Sequence, residues 1–249
     1  MIPKISLALI ALCAGLQAQV TVSNGASFRT DQPVTAGSWA VALGDFSGVS
    51  AQTAQALPLG NNLGGVSITV DGQDAPIYYV SATQVNFLIP GAVTVGLKNV
   101  VITYPGGTIN GTVQVANAGP GLFVDFTDSG TPISGRIVNA QQGAVINGPS
   151  TPAIRGEVVS IYGTGPGAFD RQVDDGAAPG TPSANTVSTP QVQIAGVQVP
   201  VSFSGLNSLA PGLWQINVTI PSDLPATGRL SLVVFSDGVD SNEVAIFVQ

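Results

Sequence analysis

The sequence predicts an all-β protein built as two β-sandwiches in tandem, and three observations carry that expectation. Short runs rich in Val, Ile, Thr and aromatic residues recur about every ten positions, with Gly, Pro, Asn and Asp between them. Asp-Gly and Gly-Gly pairs suited to tight hairpins stand at 71–72, 106–107 and 237–238. Finally, landmarks of the first half return in the same order in the second, the mark of an internal repeat.

Each strand follows from its own run. In the first half these are 66–70 (VSITV), 77–80 (IYYV), 84–89 (QVNFLI), 100–104 (VVITY) and 112–115 (TVQV). In the second they are 158–162 (VVSIY), 191–194 (QVQI), 199–203 (VPVSF), 214–220 (WQINVTI), 230–235 (LSLVVF) and 243–248 (EVAIFV). All are short, β-branched or aromatic, and bounded by turn residues, which suits half-buried strands.

The repeat sets the domain plan. Pro33, Gly37 and Gly44 are answered by Pro152, Gly156 and Gly163 at the same spacing; Gly72 and Pro76 are answered by Gly196 and Pro200; "QVNFLIP" at 84–90 is answered by "QINVTIP" at 215–221. The second copy is longer between Gly163 and Gly196 and again around "GLNSLAPG", and surface loops tolerate such insertions at little entropic cost. The expected domains are therefore a sandwich over 19–118 and another over 119–249, joined at "ANAGPG", 116–121. The insertions at 164–189 and 204–211 are where specificity is expected.

Residues 1–18 read as a signal peptide: Lys4 gives a positive start, 5–16 an apolar stretch, and Leu16-Gln17-Ala18 a cleavage site before Gln19. The apolar run is shorter than the about 20 residues of a spanning helix, so no integral membrane segment is expected in the mature chain. The single cysteine, Cys13, lies in that leader, which excludes a disulfide framework after cleavage. The mature chain would carry six basic residues against fourteen acidic ones, a net charge of −8, with no basic cluster, so nucleic acid and anionic membranes are excluded as partners. Charged residues are 8% of the chain, which leaves its surface to Ser, Thr, Asn, Gln and Gly.

The remaining motifs exclude more chemistry than they suggest. "SIYGTGPGAF" at 160–169 is close to a strand entering a nucleotide-binding glycine loop. Pro166 removes an N–H donor, however, the third glycine comes a residue early, and no helix follows to hold a phosphate. Histidine is absent, which removes Ser-His and Cys-His nucleophiles and most zinc sites. Glycosidase chemistry needs only two carboxylates and survives that exclusion, with Glu157, Asp170, Asp174 and Asp175, or Asp71 with Asp74 and Asp237 with Asp240, to supply them. Asp71 and Asp237 each open an Asp-Gly turn, where the side chain bonds local backbone instead. Asp170, Asp174 and Asp175 in "DRQVDDG" are the calcium candidates, although the cluster lacks alternating DxDxDG spacing and a distal bidentate glutamate.

Aromatic side chains are the remaining candidates. Trp39 and Trp214 lie in apolar strand runs and are expected in the core. Tyr78 and Tyr79 are adjacent on one strand, so they are expected to face opposite sides and leave one ring exposed, which makes them the ligand-binding candidates.

The stretches "PAIRGEVVSIYGTGPG", "GGVSITVDGQDAPIYYVSATQVNFLIP" and "GLWQINVTIP" resemble the uncharacterised C-terminal domain family of exported acidobacterial proteins, the Solibacter type. Each copy's opening is also distantly similar to IPT/TIG domains, which are immunoglobulin-like. The resemblance implies immunoglobulin-like sandwiches at the bacterial cell surface or in the secreted milieu, and it brings no catalytic residue. The expectation is a non-enzymatic binding, adhesion or structural module without cofactor, whose partner is an extracellular protein or polysaccharide. The alternative is a carbohydrate-binding module acting with a separate polysaccharide-degrading enzyme, which an exposed Tyr78 or Tyr79 beside a second ring would favour.

Overall fold

The computed structural model describes residues 19–249; the expected signal peptide lies outside the described residues. These residues form strands and turns without a helix, in four antiparallel sheets. In the first unit one sheet has the order Thr21–Asn24, Trp39–Leu43, Gln84–Leu88, Ile77–Val80 and the short Gln52–Thr53 edge. The facing sheet runs Gly107–Val115, Gly96–Tyr104, Val66–Val70 and Asn62–Leu63. Leaving out the two-residue strands, the first, second, fifth and fourth strands share one sheet, and the third, sixth and seventh share the other. That arrangement is the strand order of an immunoglobulin-like sandwich.

The second unit follows the same plan. Ile137–Asn139, Val158–Thr164, Trp214–Thr219 and Val201–Leu206 lie side by side in one sheet. Gln191–Ile194 pairs with Gly228–Ser236 in the other, and Val244–Val248 pairs with the latter strand. Each unit has its own core. Val22, Ala40, Phe46, Ile68, Phe87 and Ile102 belong to the first, and Ile137, Ile161, Ile194, Trp214, Ile216 and Leu232 to the second.

The repeat extends to the register. Trp39 faces Leu88 and Leu43 faces Gln84 in the first unit, where Val158 faces Thr219 and Tyr162 faces Gln215 in the second. In the other sheet Val70 faces Val100 as Ile194 faces Leu232. Each first strand also ends on a buried asparagine, Asn24 or Asn139, a correspondence the sequence landmarks did not include. A large ring lies against the repeated glycine at the end of each second strand: a Cβ on Gly44 would stand 3.4 Å from Phe46, and one on Gly163 would stand 3.2 Å from Trp214.

An ion pair ties the 125–134 loop to the second sandwich. The Arg229 guanidinium, then the Ser134 hydroxyl and the Gly130 N–H, hold the Asp128 carboxyl well below the usual carboxylate range. A carboxylate with a depressed folded-state pKa stabilises above its unfolded value and loses that contribution as pH falls through the folded one. Asp128→Asn is therefore expected to melt below the parent at neutral pH, with the difference shrinking below about pH 4. Melting temperatures recorded across that range check this, and a gap that stays constant into acid refutes it.

Candidate functional site: a groove between the two sandwiches

The site begins with a β-bulge. Ile77 pairs with Phe87 and Tyr79 with Asn86, so Tyr78 is an extra residue with no partner on the Gln84–Leu88 strand. Ile77 and Val80 both point into the core, at 1% and 0% exposure, and the bulge leaves both tyrosines between them on the outer side. This corrects the expectation that Tyr78 and Tyr79 face opposite ways: alternation holds only where the register is unbroken. Tyr78 is 43% exposed and Tyr79 is partly buried.

Trp39, expected in the core, is only partly buried and stands beside Tyr78. The two rings meet edge to face, 5.6 Å between centroids and 72° between planes. The Trp39 indole N–H donates to the Pro211 carbonyl at 3.0 Å, and its backbone N–H donates to Thr164 Oγ1 at 2.9 Å. Thr164 Oγ1 in turn donates to the Gly212 carbonyl at 3.1 Å. The inserted 204–211 segment of the second unit is thus clamped over a ring of the first. Trp214, by contrast, is fully buried as expected.

Between these elements runs a groove of about 450 Å³, lined chiefly by Trp39, Tyr78, Leu57, Leu209, Pro211 and Asn86. That volume falls within the range of small-ligand sites, about 300–1,000 Å³. Leu57 and Leu209 are 49% and 80% exposed on its rim, and among the described residues no Asp, Glu, Lys or Arg lines it. The arrangement can hold an uncharged ligand with an apolar face, and it offers the Gln55 and Asn86 amides for hydrogen bonds.

The repeat isolates what is special here. The second sandwich has the same bulge, between Val201 and Phe203, with Phe203 paired to Asn217 as Tyr79 is to Asn86. Its extra residue is Ser202, and the counterpart of Trp39 by register is Val158. The fold therefore needs no ring at either position, and the Trp39–Tyr78 pair is an addition to the first copy. The spacing of "PIYY" after Pro76 against "PVSF" after Pro200 carried this signal. Tyr78→Ser is expected to cost no more than about 1.5 kcal/mol by urea denaturation, the upper worth of its edge-to-face contact with Trp39.

The acidic candidates lie elsewhere. Asp174 and Asp175 line a second, wider cleft of about 720 Å³ on the 164–189 insertion, while Asp170 does not reach it. Asp175 accepts the Gly91 N–H at 2.8 Å, and the adjacent Gly176 carbonyl accepts the Leu59 N–H at 2.8 Å. Asp170 accepts both the backbone and the side-chain N–H of Asn185, each at 2.9 Å. Arg171 donates to the Pro179 and Pro182 carbonyls and so ties its own loop together. Among the described residues no group of three or more Asp, Glu, His or Cys stands close enough to hold a metal ion. Asp71 and Asp237 open their hairpin turns with φ of 52° and 47°, and Asp71 pairs with Lys98 at 3.0 Å.

The glycines of 163–167 fasten the two units together. Gly165 has φ +71° and its carbonyl accepts the Gly119 N–H at 3.0 Å, while the Asn24 side-chain amide donates to the Gly119 carbonyl at 3.0 Å. Phe28 and Phe126 add an edge-to-face pair across the join, 4.9 Å between centroids. The groove is therefore bounded by two units in fixed contact.

No family model matches the chain, and no curated protein matches it. Solved structures similar to it include the mixed-linkage glucan utilization locus SGBP-B of Bacteroides ovatus in complex with a mixed-linkage heptasaccharide, at 15% identity and a TM-score of 0.35. That match covers 96% of this chain and 47% of the other, so the chain spans about half the length of that protein. The SGBP-B from a complex xyloglucan utilization locus of Bacteroides uniformis matches at 14% identity and a TM-score of 0.29, over 92% of this chain and 49% of the other. Domains 5–6 of the S-layer protein SbsC match at 11% identity and a TM-score of 0.31, over 94% and 97%. Among the described residues no helix is long and apolar enough to cross a membrane.

Proposed function

We propose that this chain is an exported, non-enzymatic recognition module that binds a glycan in the groove between its two sandwiches. The observation that carries the reading is the Trp39–Tyr78 pair, exposed at a position where the sister copy has Val158 and Ser202. Sugar rings present apolar C–H faces that pack on aromatic rings, and their hydroxyls match amides such as Asn86 and Gln55. Among the described residues no carboxylate lines the groove, so the acid and base of a glycosidase find no place there. The cysteine-poor composition, the leader-like residues 1–18 and the motifs resembling the Solibacter-type family support an extracytoplasmic setting at the cell surface or in the milieu.

The test is retention of the purified protein on immobilised polysaccharides and on envelope proteins of the producing cell. Retention on at least one polysaccharide is expected, weakened about tenfold by Tyr78→Ser, the cost of losing one aromatic anchor. Capture by an envelope protein alone, or retention indifferent to Tyr78, refutes the reading in favour of protein adhesion.

A further inference from the structure

The groove does not end where its aromatic rings end. In the strand Gln84–Leu88, Val85 and Phe87 are buried, so Gln84 and Asn86 share the outer face. Gln84 Nε2 donates to Asn86 Oδ1 at 2.7 Å, and Asn86 itself lines the groove. In Trp214–Thr219 the same alternation buries Trp214, Ile216 and Val218 and turns Gln215 and Asn217 outward. Gln215 Nε2 donates to Asn217 Oδ1 at 2.9 Å, the same contact at the same position of the repeat. This second ladder starts at the groove, because Leu213, two residues before Gln215, is one of its walls. Asn207 Nδ2 donates to Gln215 Oε1 and Ser160 Oγ to Asn217 Oδ1, each at 2.9 Å, which fixes both amides in place.

We propose that these parts form one track, and that its ligand is an uncharged linear polysaccharide laid across the junction. Trp39 and Tyr78 hold it at the centre, the Gln84–Asn86 ladder on one side and the Gln215–Asn217 ladder on the other. The inference rests on the groove being the binding site and goes beyond it in naming the ligand's charge, shape and length. At a strand rise of about 3.4 Å per residue, Leu213 to Asn217 alone extends the surface by about 14 Å, longer than a single sugar ring.

Three features select that ligand. The groove and both ladders carry no formal charge, in a molecule whose net charge is −7, so an anionic polymer meets repulsion and no cation. Amides present a donor and an acceptor together, which a hydroxyl satisfies in either role. Both ladder strands are interior to their sheets, flanked on each side by a paired strand. Their backbone groups are already used in the sheet, so an extended peptide cannot add to them, and only side-chain recognition remains.

The test is calorimetric titration of the protein with neutral linear gluco-, xylo- and manno-oligosaccharides, from disaccharides to hexasaccharides, with polygalacturonate as the anionic comparison. Affinity is expected to rise with chain length within one neutral series. Gln215→Ala combined with Asn217→Ala should weaken the hexasaccharide about fivefold to tenfold, the worth of one or two hydrogen bonds, and leave the disaccharide unchanged. Gln84→Ala, on the other sandwich and outside the groove lining, gives the same readout should the first variant fold poorly. Equal affinity for short and long oligosaccharides, or ladder variants that bind like the parent, overturns the track while leaving the groove as a binding site. Tighter binding of polygalacturonate overturns the neutral ligand, and failure of every glycan overturns track and groove reading together.

Discussion

Replacing Trp214 with alanine is expected to lower the stability of the second sandwich by about 3–5 kcal/mol, the usual cost of truncating a fully buried aromatic ring. Trp214 is fully buried and lies directly across the strand pair from Gly163. A side chain there has no room: a Cβ would meet the Gly121 carbonyl at 2.5 Å and Trp214 Cε3 at 3.2 Å. The backbone around the ring belongs to the paired Val158–Thr164 and Trp214–Thr219 strands, so it cannot collapse far into the space left by truncation. The indole N–H also donates to Ser204 Oγ at 2.9 Å, and truncation removes that bond. Because the first sandwich has a separate core, denaturant unfolding should separate into two transitions, with the one belonging to the second sandwich moved to lower denaturant. A loss under about 1 kcal/mol would contradict the packing described here. Trp39 is then the one tryptophan left, and its fluorescence reports ligand entry into the groove.

The same residue shows which parts of the structure were legible in the sequence. Glycines, prolines and turn pairs constrain their own backbone, so spacings such as Pro33 to Gly44 and Pro152 to Gly163 survive as readable landmarks of one fold used twice. Trp214 read as core because it opens the apolar run 214–220, and Ile216 and Val218, its alternating neighbours, are buried with it. Trp39 read the same way and is not core, since its partial exposure depends on a loop about 170 residues away in the chain that comes to rest on its edge. The bulge at Tyr78 was equally hidden: it is an offset between two strands, and neither strand's sequence alone records it. The insertions at 164–189 and 204–211 were expected to carry specificity, and each supplies a wall to a cleft between the units. The glycines after Gly163 were harder still, because their reason is a neighbour in the other half of the chain. That neighbour leads to the second large effect.

Gly165→Val is expected to loosen the join between the sandwiches while leaving both cores folded. Gly165 sits at φ +71°, where a β-branched side chain is strained, and its Cβ would stand 2.4 Å from the Gly119 carbonyl oxygen. Gly119 cannot retreat, since its own Cβ position lies 2.1 Å from the Pro33 carbonyl. Three backbones, one from each sandwich and one from the linker, are therefore stacked with no space for a side chain between them. Strain and overpacking together cost about 2–4 kcal/mol, and separation of the units relieves both. Separation also breaks the Gly119 N–H to Gly165 bond and withdraws Pro211 from the Trp39 indole. The groove has walls from both units, so it should lose its ligand by a larger factor than Tyr78→Ser does, although no groove residue has changed. Small-angle scattering should report a longer particle with both cores still melting cooperatively, and limited proteolysis should cut within 116–121. Unaltered dimensions together with unaltered binding would mean that the stacked glycines do not hold the units together.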